Sequence, residues 1–281
     1  MATTDIYTVM GSLQPFRHAI RGIGADADTG LKVDTLAAAL VTANYTSGTI
    51  TMWVMVPDET GTYGMIGFGD ASAVEYIEMD IAAGKLHAKC ARVGPDVAWD
   101  IITTTKVIKP HQWTHIAITH DSAKPRLYVN GVLQTVAQTD ITEPTYWFDT
   151  CSLIDGAHIG CIDSVAGDAA VTAEFKGYIS TVKVWGGLTT TAALTDAQIK
   201  EEYDGIAHAT YLVAEYDMDG NVINRANDGT YNGTLETNSV YCDACEFTSR
   251  FTFGCGIALV ADDVQVSINN NLGLATVIQA A

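Results

Sequence analysis

Apolar and polar positions alternate with a period of two along most of this chain, the pattern of strands buried on one face. Residues 49–56 read as one such strand, ended by Pro57 and the turn-rich residues 58–61. The pattern continues through residues 65–68 and 74–81, with Gly69-Asp70 and Ala83-Gly84 as punctuation, and residues 86–93 and 99–104 supply partners. Residues 113–131 form a meander. Ile116 and Ile118 share one face, as do Leu127 and Val129, and residues 121–125 turn between them. Asn130-Gly131 is a two-residue hairpin signal leading into Val132-Leu133.

A helical pattern stands out once, at residues 194–205. Thr195 is an N-cap and Gln198 completes a capping box. Leu194 can staple onto Ile199, Ile199 and Tyr203 share a face at i, i+4, and Gly205 supplies the left-handed C-terminal position. So short and one-sided a helix is expected to plug an end or edge of a sandwich. Residues 211–217 read as a further strand, and residues 219–233 as a Gly- and Asn-rich loop. Strand-like runs at 247–253, 257–260 and 264–268 follow, interrupted by Asn269-Asn270-Asn271. The first thirty residues, with Gly22, Gly24, Gly30, Asp26 and Asp28, read as an arm and a turn. No repeat of about 20 to 50 residues is evident, which argues against a solenoid or propeller.

The 281 residues can bury a substantial core, and the charged fraction is only 17%, yet the net charge is −18. That balance excludes binding to a nucleic-acid backbone, which needs clustered Lys and Arg, and leaves cationic partners open. No apolar run approaches the roughly 20 residues of a membrane-spanning helix, so no membrane insertion is expected. No basic region followed by an apolar one opens the chain, so a secretory signal is not expected. Six cysteines stand at 90, 151, 161, 242, 245 and 255. Cys242-x-x-Cys245 with Cys255 is a partial zinc pattern lacking a fourth ligand; disulfides and free thiols stay open, because spacing does not determine pairing.

"QWTHIAITHD…RLYVNGVL", from Gln112 to Leu133, resembles the central motif of the laminin-G-like, concanavalin A-like lectin/glucanase jelly rolls. Residues 175–185 resemble the late strand of that family and residues 194–199 with Tyr203 its short helix, so the resemblance covers residues 31–205. It implies an all-β, antiparallel two-sheet jelly-roll sandwich with one short helix and extensions at both ends. The expected organisation is an N-terminal arm over 1–30, the sandwich over 31–239, and a C-terminal extension over 240–281. Residues 211–236 resemble the segment that normally opens such a domain, but here they follow the helix. They either complete the sandwich in a permuted order or belong to a second module; too few residues remain for a second jelly roll, which favours completion.

The family also contains glycoside hydrolases, whose glucanase members use a Glu-x-Asp-x-x-Glu strand. Glu78-Met79-Asp80-Ile81-Ala82-Ala83 matches the first two acids, but Ala83 stands where the second essential carboxylate belongs. Glycoside hydrolysis needs a carboxyl pair roughly 5 to 10 Å apart, and Glu75 cannot substitute, since an offset of three from Glu78 reverses the strand face. His111, His115 and His120 suggest a metal, but four residues along a strand span about 13 Å, too far for one ion. Calcium is the more serious possibility, because laminin-G-like sandwiches bind it at loop tips. Its candidate ligands are Asp155, Asp163 and Asp168, with Asp217, Asp219 and Asn221 as a second set better explained by turns. Loop-proximal aromatics, Trp99, Tyr146, Trp147 and Phe148, are candidates to stack on a sugar. Neither a Gly-x-Ser-x-Gly elbow nor a P-loop is present.

The chemistry expected is therefore recognition rather than catalysis. The leading expectation is a non-enzymatic surface or attachment protein of an extracellular assembly such as a phage virion, associating with itself or with other subunits. The alternatives are a secreted carbohydrate- or protein-binding lectin-like module, assisted by calcium, that takes a glycan or cell-surface ligand, and an atypical glycoside hydrolase.

Overall fold

The computed structural model describes residues 18–22, 30–70, 75–92, 97–162, 173–227, 229–236, 239–243, 264–269 and 274–279. Strands are numbered in chain order. The first sheet runs β10 (Val132–Leu133), β9 (Pro125–Val129), β8 (Thr114–His120), β3 (Ser47–Met55), β13 (Tyr178–Gly187), β1 (His18–Gly22) and β16 (Ser239–Asp243). Its eighth strand, β14 (Leu212–Tyr216), pairs with β13 beside β1. The second sheet runs β11 (Val136–Ile141), β7 (Val97–Thr103), β6 (Lys85–Ala91), β5 (Tyr76–Ala82) and β4 (Thr62–Gly69). It ends with β12 (Gly156–Ile159), β2 (Leu31–Lys32) and β15 (Thr234–Leu235). All these pairings are antiparallel. The hairpin of β17 (Val264–Asn269) and β18 (Leu274–Gln279) covers the run read at 264–268. The runs at 247–253 and 257–260 lie outside the described residues.

The expected two-sheet antiparallel sandwich is therefore the fold, and its core lies between the sheets. Ile50, Met52, Val54, Ile116 and Ile118 of the first sheet meet Phe68, Ile77, Met79, Leu86 and Ile101 of the second in one buried cluster. The meander pairs as the alternation requires, Ile116 opposite Val129 and Ile118 opposite Leu127. Asn130 and Gly131 both take positive φ, 50° and 75°, as a two-residue hairpin turn needs. The Asn130 side-chain oxygen accepts from the His115 backbone N–H at 2.9 Å, which locks the turn onto β8.

The predicted helix is α2 (Asp196–Tyr203), with both hydrogen bonds of its capping box formed and Gly205 at φ 86° after its end. It lies on the outer face of the first sheet rather than at an end. Ile199 and Leu194 bury against Ala117, Tyr128 and Trp185, three side chains that alternation sends away from the main core. A second helix, α1 (Asp34–Thr42), was not expected. Leu36, Ala37 and Leu40 enter the main core, and Asp34 accepts from the Ala157 N–H at 3.1 Å. A run apolar on all sides carries no period that separates helix from strand.

Residues 211–236 complete the sandwich: β14 extends the first sheet through β13, and β15 extends the second through β2. The predicted N-terminal arm supplies β1, which lies between β13 and β16. Cys90 and Cys151 are free thiols, and Cys245 and Cys255 lie outside the described residues. Among the described residues no helix is long and apolar enough to cross a membrane.

Candidate functional site

Because α2 covers the outer face of the first sheet, the second sheet presents the chain's other broad face. Its outward positions on β5, β6 and β7 carry a cluster of charges. The β5–β6 hairpin turns at Ala83-Gly84, with φ 50° and 80°, and this two-residue turn fixes the register. Glu78 then stands opposite Lys89, and Asp80 opposite His87. On the next strand Lys89 pairs with Asp100, which itself faces Asp140 of β11. One row across four strands thus reads acid, base, acid, acid from β5 to β11, with the imidazole in the row beside it. Intervening residues such as Ile77, Met79, Leu86 and Ala88 point into the core, so the alternation that builds the sandwich also gathers these charges.

His87 is the centre of the arrangement. Its Nδ1 lies 2.6 Å from Asp80 Oδ2 and its Nε2 3.0 Å from Asp100 Oδ1. Burial alone would depress its pKa, but the hydrogen bonds and charges of Asp80 and then Asp100 outweigh it and raise the group to about 9. At neutral pH the ring is an imidazolium donating from both nitrogens. Glu78, 9% exposed, is pushed up to about 7, first by burial and then by the neighbouring Asp80 charge. The second oxygen of Asp80, Oδ1, is buried without a hydrogen-bond partner. Lys89 holds its ammonium 5.2 Å from the centre of the Tyr76 ring. The face therefore offers fixed donors and acceptors on strands about 4.8 Å apart, a spacing comparable to a pyranose ring. An aromatic ring stands at its margin.

The aromatic candidates lie elsewhere. Trp99, Trp147 and Phe148 are 0%, 1% and 2% exposed and belong to the core. Trp147 stacks on His120 at 5.0 Å and 7°, Trp99 stacks on Trp147 at 6.3 Å, and Phe148 meets Phe68 edge-on at 5.0 Å. Trp99 is an inward residue of β7, and the loop carrying Trp147 and Phe148 turns its side chains in over the sandwich core, so no ring face of the three is left for a sugar. Tyr146 is half-buried and accepts a hydrogen bond from Arg92 at 3.2 Å.

Of the calcium candidates Asp155 is exposed, while Asp163 and Asp168 lie outside the described residues. Among the described residues no group of three His, Cys, Asp or Glu side chains is placed to hold a metal. Asp217 and Asp219 both bind Arg225, the former at 3.1 Å; Asp217 accepts from the Asp219 N–H and Asn221 from the Ile223 N–H, each closing an Asx turn. Turn chemistry, as expected, accounts for that set.

Sequence reading isolated Glu78 and Asp80 but missed Lys89, His87, Asp100 and Tyr76. The signal was present: acids two apart on one strand and bases two apart on the next, joined by a two-residue turn, must fall opposite each other.

The family model described as the concanavalin A-like lectin/glucanases superfamily (Laminin_G_3) matches residues 26–200. Among solved structures, the chain is similar to the CBM40 of Ruminococcus gnavus IT-sialidase bound to α2,3-sialyllactose, at 14% identity and TM-score 0.50. That match covers 69% of this chain and all (100%) of that one. It is also similar to a leech intramolecular trans-sialidase, at 15% identity and TM-score 0.51 over 69% of this chain and 28% of that one. The NanB sialidase of Streptococcus pneumoniae gives 13% identity and TM-score 0.50 over 66% and 27%. These likenesses are of fold. No protein of curated function matches the chain in sequence.

Proposed function

Because this chain belongs to the concanavalin A-like lectin/glucanase superfamily, we propose that it is a non-catalytic glycan-recognition module and that the outer face of β5–β7 receives the sugar. One observation carries the reading: His87 is held by Asp80 and Asp100 at 2.6 and 3.0 Å on a sheet face that no helix among the described residues covers. A polyol needs fixed donors and acceptors close together, and a pre-organised set loses little freedom on binding. The similar CBM40 bound to sialyllactose supports a carbohydrate ligand for the fold.

A glycan array carrying neutral, amino and sialylated sugars tests this, followed by calorimetry on the best binder. Saturable binding weakened at least about tenfold by Asp100→Asn, the worth of one charge-assisted hydrogen bond, supports the proposal. A blank array, or equal binding by the variant, overturns it.

A second reading, a surface subunit of an extracellular assembly such as a virion, is favoured by β16. This strand is the edge of the first sheet, Val240 on it is 38% exposed, and the chain runs on from it into the predicted extension. Self-association abolished by ending the chain after Asp243 supports that reading; an unchanged mass in light scattering removes it.

A further inference from the structure

A cavity of about 120 Å³ lies between α2 and the outer face of the first sheet. One water needs roughly 10–15 Å³ of such space, so the cavity takes a molecule of several heavy atoms. The chain builds it with a β-bulge. Ser180 pairs with Trp53 and Lys183 with Thr51, so β13 carries one residue more than β3 between these pairs. The extra residue reverses the alternation. Val182 enters the core, and Lys183 comes to the outer face and lines the cavity. Thr181, also on the wall, sits at φ 42°, a left-handed conformation that is an outlier for a β-branched residue.

The polar groups inside are unbalanced. Lys183 Nζ donates to Glu202 at 2.8 Å and stands 3.5 Å from Glu215. The other oxygen of Glu202 accepts from the His208 N–H at 2.7 Å, which occupies that carboxylate. Glu215 keeps acceptor capacity, and one ammonium faces two carboxylates. His115 is 2% exposed, and its Nδ1 is buried without a hydrogen-bond partner. A buried polar atom without a partner is costly, and natural structures rarely keep one without a use. With the ring neutral and its proton on Nε2, Nδ1 is an acceptor. The Trp53 ring completes the wall.

An anion here would meet two carboxylates against a single lysine, and an apolar guest would leave Nδ1 and Glu215 unanswered. We propose that this cavity binds the primary ammonium group of a small amine. The ammonium donates to His115 Nδ1 and Glu215, brings the charge of the lined space to neutrality, and rests near the Trp53 ring. The site is separate from the β5–β7 face and does not depend on a glycan-binding function.

Methylammonium chloride titrated into the full chain is the probe, with potassium chloride matching ionic strength and glycerol as an uncharged control. The expected result is a saturable shift of the His115 ring nitrogens, with nuclear Overhauser contacts from the probe methyl to the Trp53 ring. Glu215→Gln is expected to weaken binding about tenfold, and Glu59→Gln in the loop between β3 and β4 to leave it unchanged. Nα-acetyl-lysine methylamide, run in parallel, separates the sources of the ammonium. Binding of methylammonium alone supports a free amine, and binding of both supports the same site with a protein lysine as guest. A response no larger than the potassium control, glycerol binding as well as methylammonium, or missing contacts to Trp53 in the wild-type chain each overturns the proposal. The contact measurement needs no variant, so it holds if Glu215→Gln fails to fold.

Discussion

Asp80 and His87 meet at 2.6 Å across the β5–β6 ladder, directly opposite each other in register. The pair makes stability depend on pH in a definite direction. His87 is raised to about 9 in the folded chain from its ordinary 6.5, so the folded state binds the extra proton between those values. Its contribution is complete below about pH 6.5 and is lost as pH rises through about 9. Glu78 is raised to about 7 from 4.5, so its contribution is likewise present in acid and lost as pH rises through about 7. Urea midpoints should fall from about pH 7 to 9, where His87 is the group that loses its proton, and His87→Gln should flatten that fall. Below about pH 6.5 the loss at Glu78 is opposed by the gain at the buried His115, so Glu78→Gln should make the midpoint rise with pH more steeply than in the wild type. Wild-type midpoints rising from about pH 7 to 9 would contradict the His87 assignment.

His115 is expected to behave in the opposite sense. Burial first, and then the Lys183 charge, lower it to about 3, so it stays neutral while His87 is charged. Unfolding releases His115 to take a proton, and its contribution, present above about pH 6.5, is lost as pH falls toward about 3. Proton NMR of the imidazole rings should show His87 protonated and His115 neutral at pH 7. A His115 ring that titrates near its ordinary value would mean that its burial is not what the packing against Trp53 and Tyr203 indicates.

The meander was legible because each of its turns has its own chemistry. Asn130-Gly131 and Ala83-Gly84 both read as punctuation, and both turn at positive φ. What the pattern could not carry was direction out of the plane. Trp147 and Phe148 lie on a loop, yet both are buried, because a loop closing over a sandwich can turn its rings inward as readily as outward. The bulge that brings Lys183 to the outer face was hidden for a related reason. A single inserted residue reverses the alternation, and only the partner strand shows that it happened. The charged face was half legible: Glu78 and Asp80 were visible as paired acids, while Asp100 joins them only through two successive registers.

Gly131→Ala should destabilise the chain by about 1–3 kcal/mol. The glycine stands at φ 75°, and a Cβ there would lie 2.7 Å from Lys200 Cδ and 3.1 Å from Lys200 Cα. The added methyl therefore strains the turn and pushes on α2 together. A lower urea midpoint, with the Trp53–Tyr203 contact loosened in NMR spectra, checks it. A midpoint within error of wild type would mean that the helix yields freely at this position.

Thiol reactivity tests the core from inside. Cys90 and Cys151 are both 0% exposed, with sulfurs 3.5 Å apart. The hydrogen bond from Cys151, and then burial, hold the Cys90 thiol well above its ordinary pKa. Only an accessible thiolate reacts quickly with iodoacetamide, so Cys90, raised and buried, and Cys151, buried, should both resist it in the folded chain. Cys242, half-buried on the edge strand β16, should be alkylated before either of them. In urea all three should label at similar rates, as mass spectrometry of the digested chain can follow. Labelling of Cys90 or Cys151 as fast as Cys242 without denaturant would require the sandwich to open locally between β6 and the loop that carries Cys151. The buried stacking of Trp147 on His120 beside that loop argues against such opening.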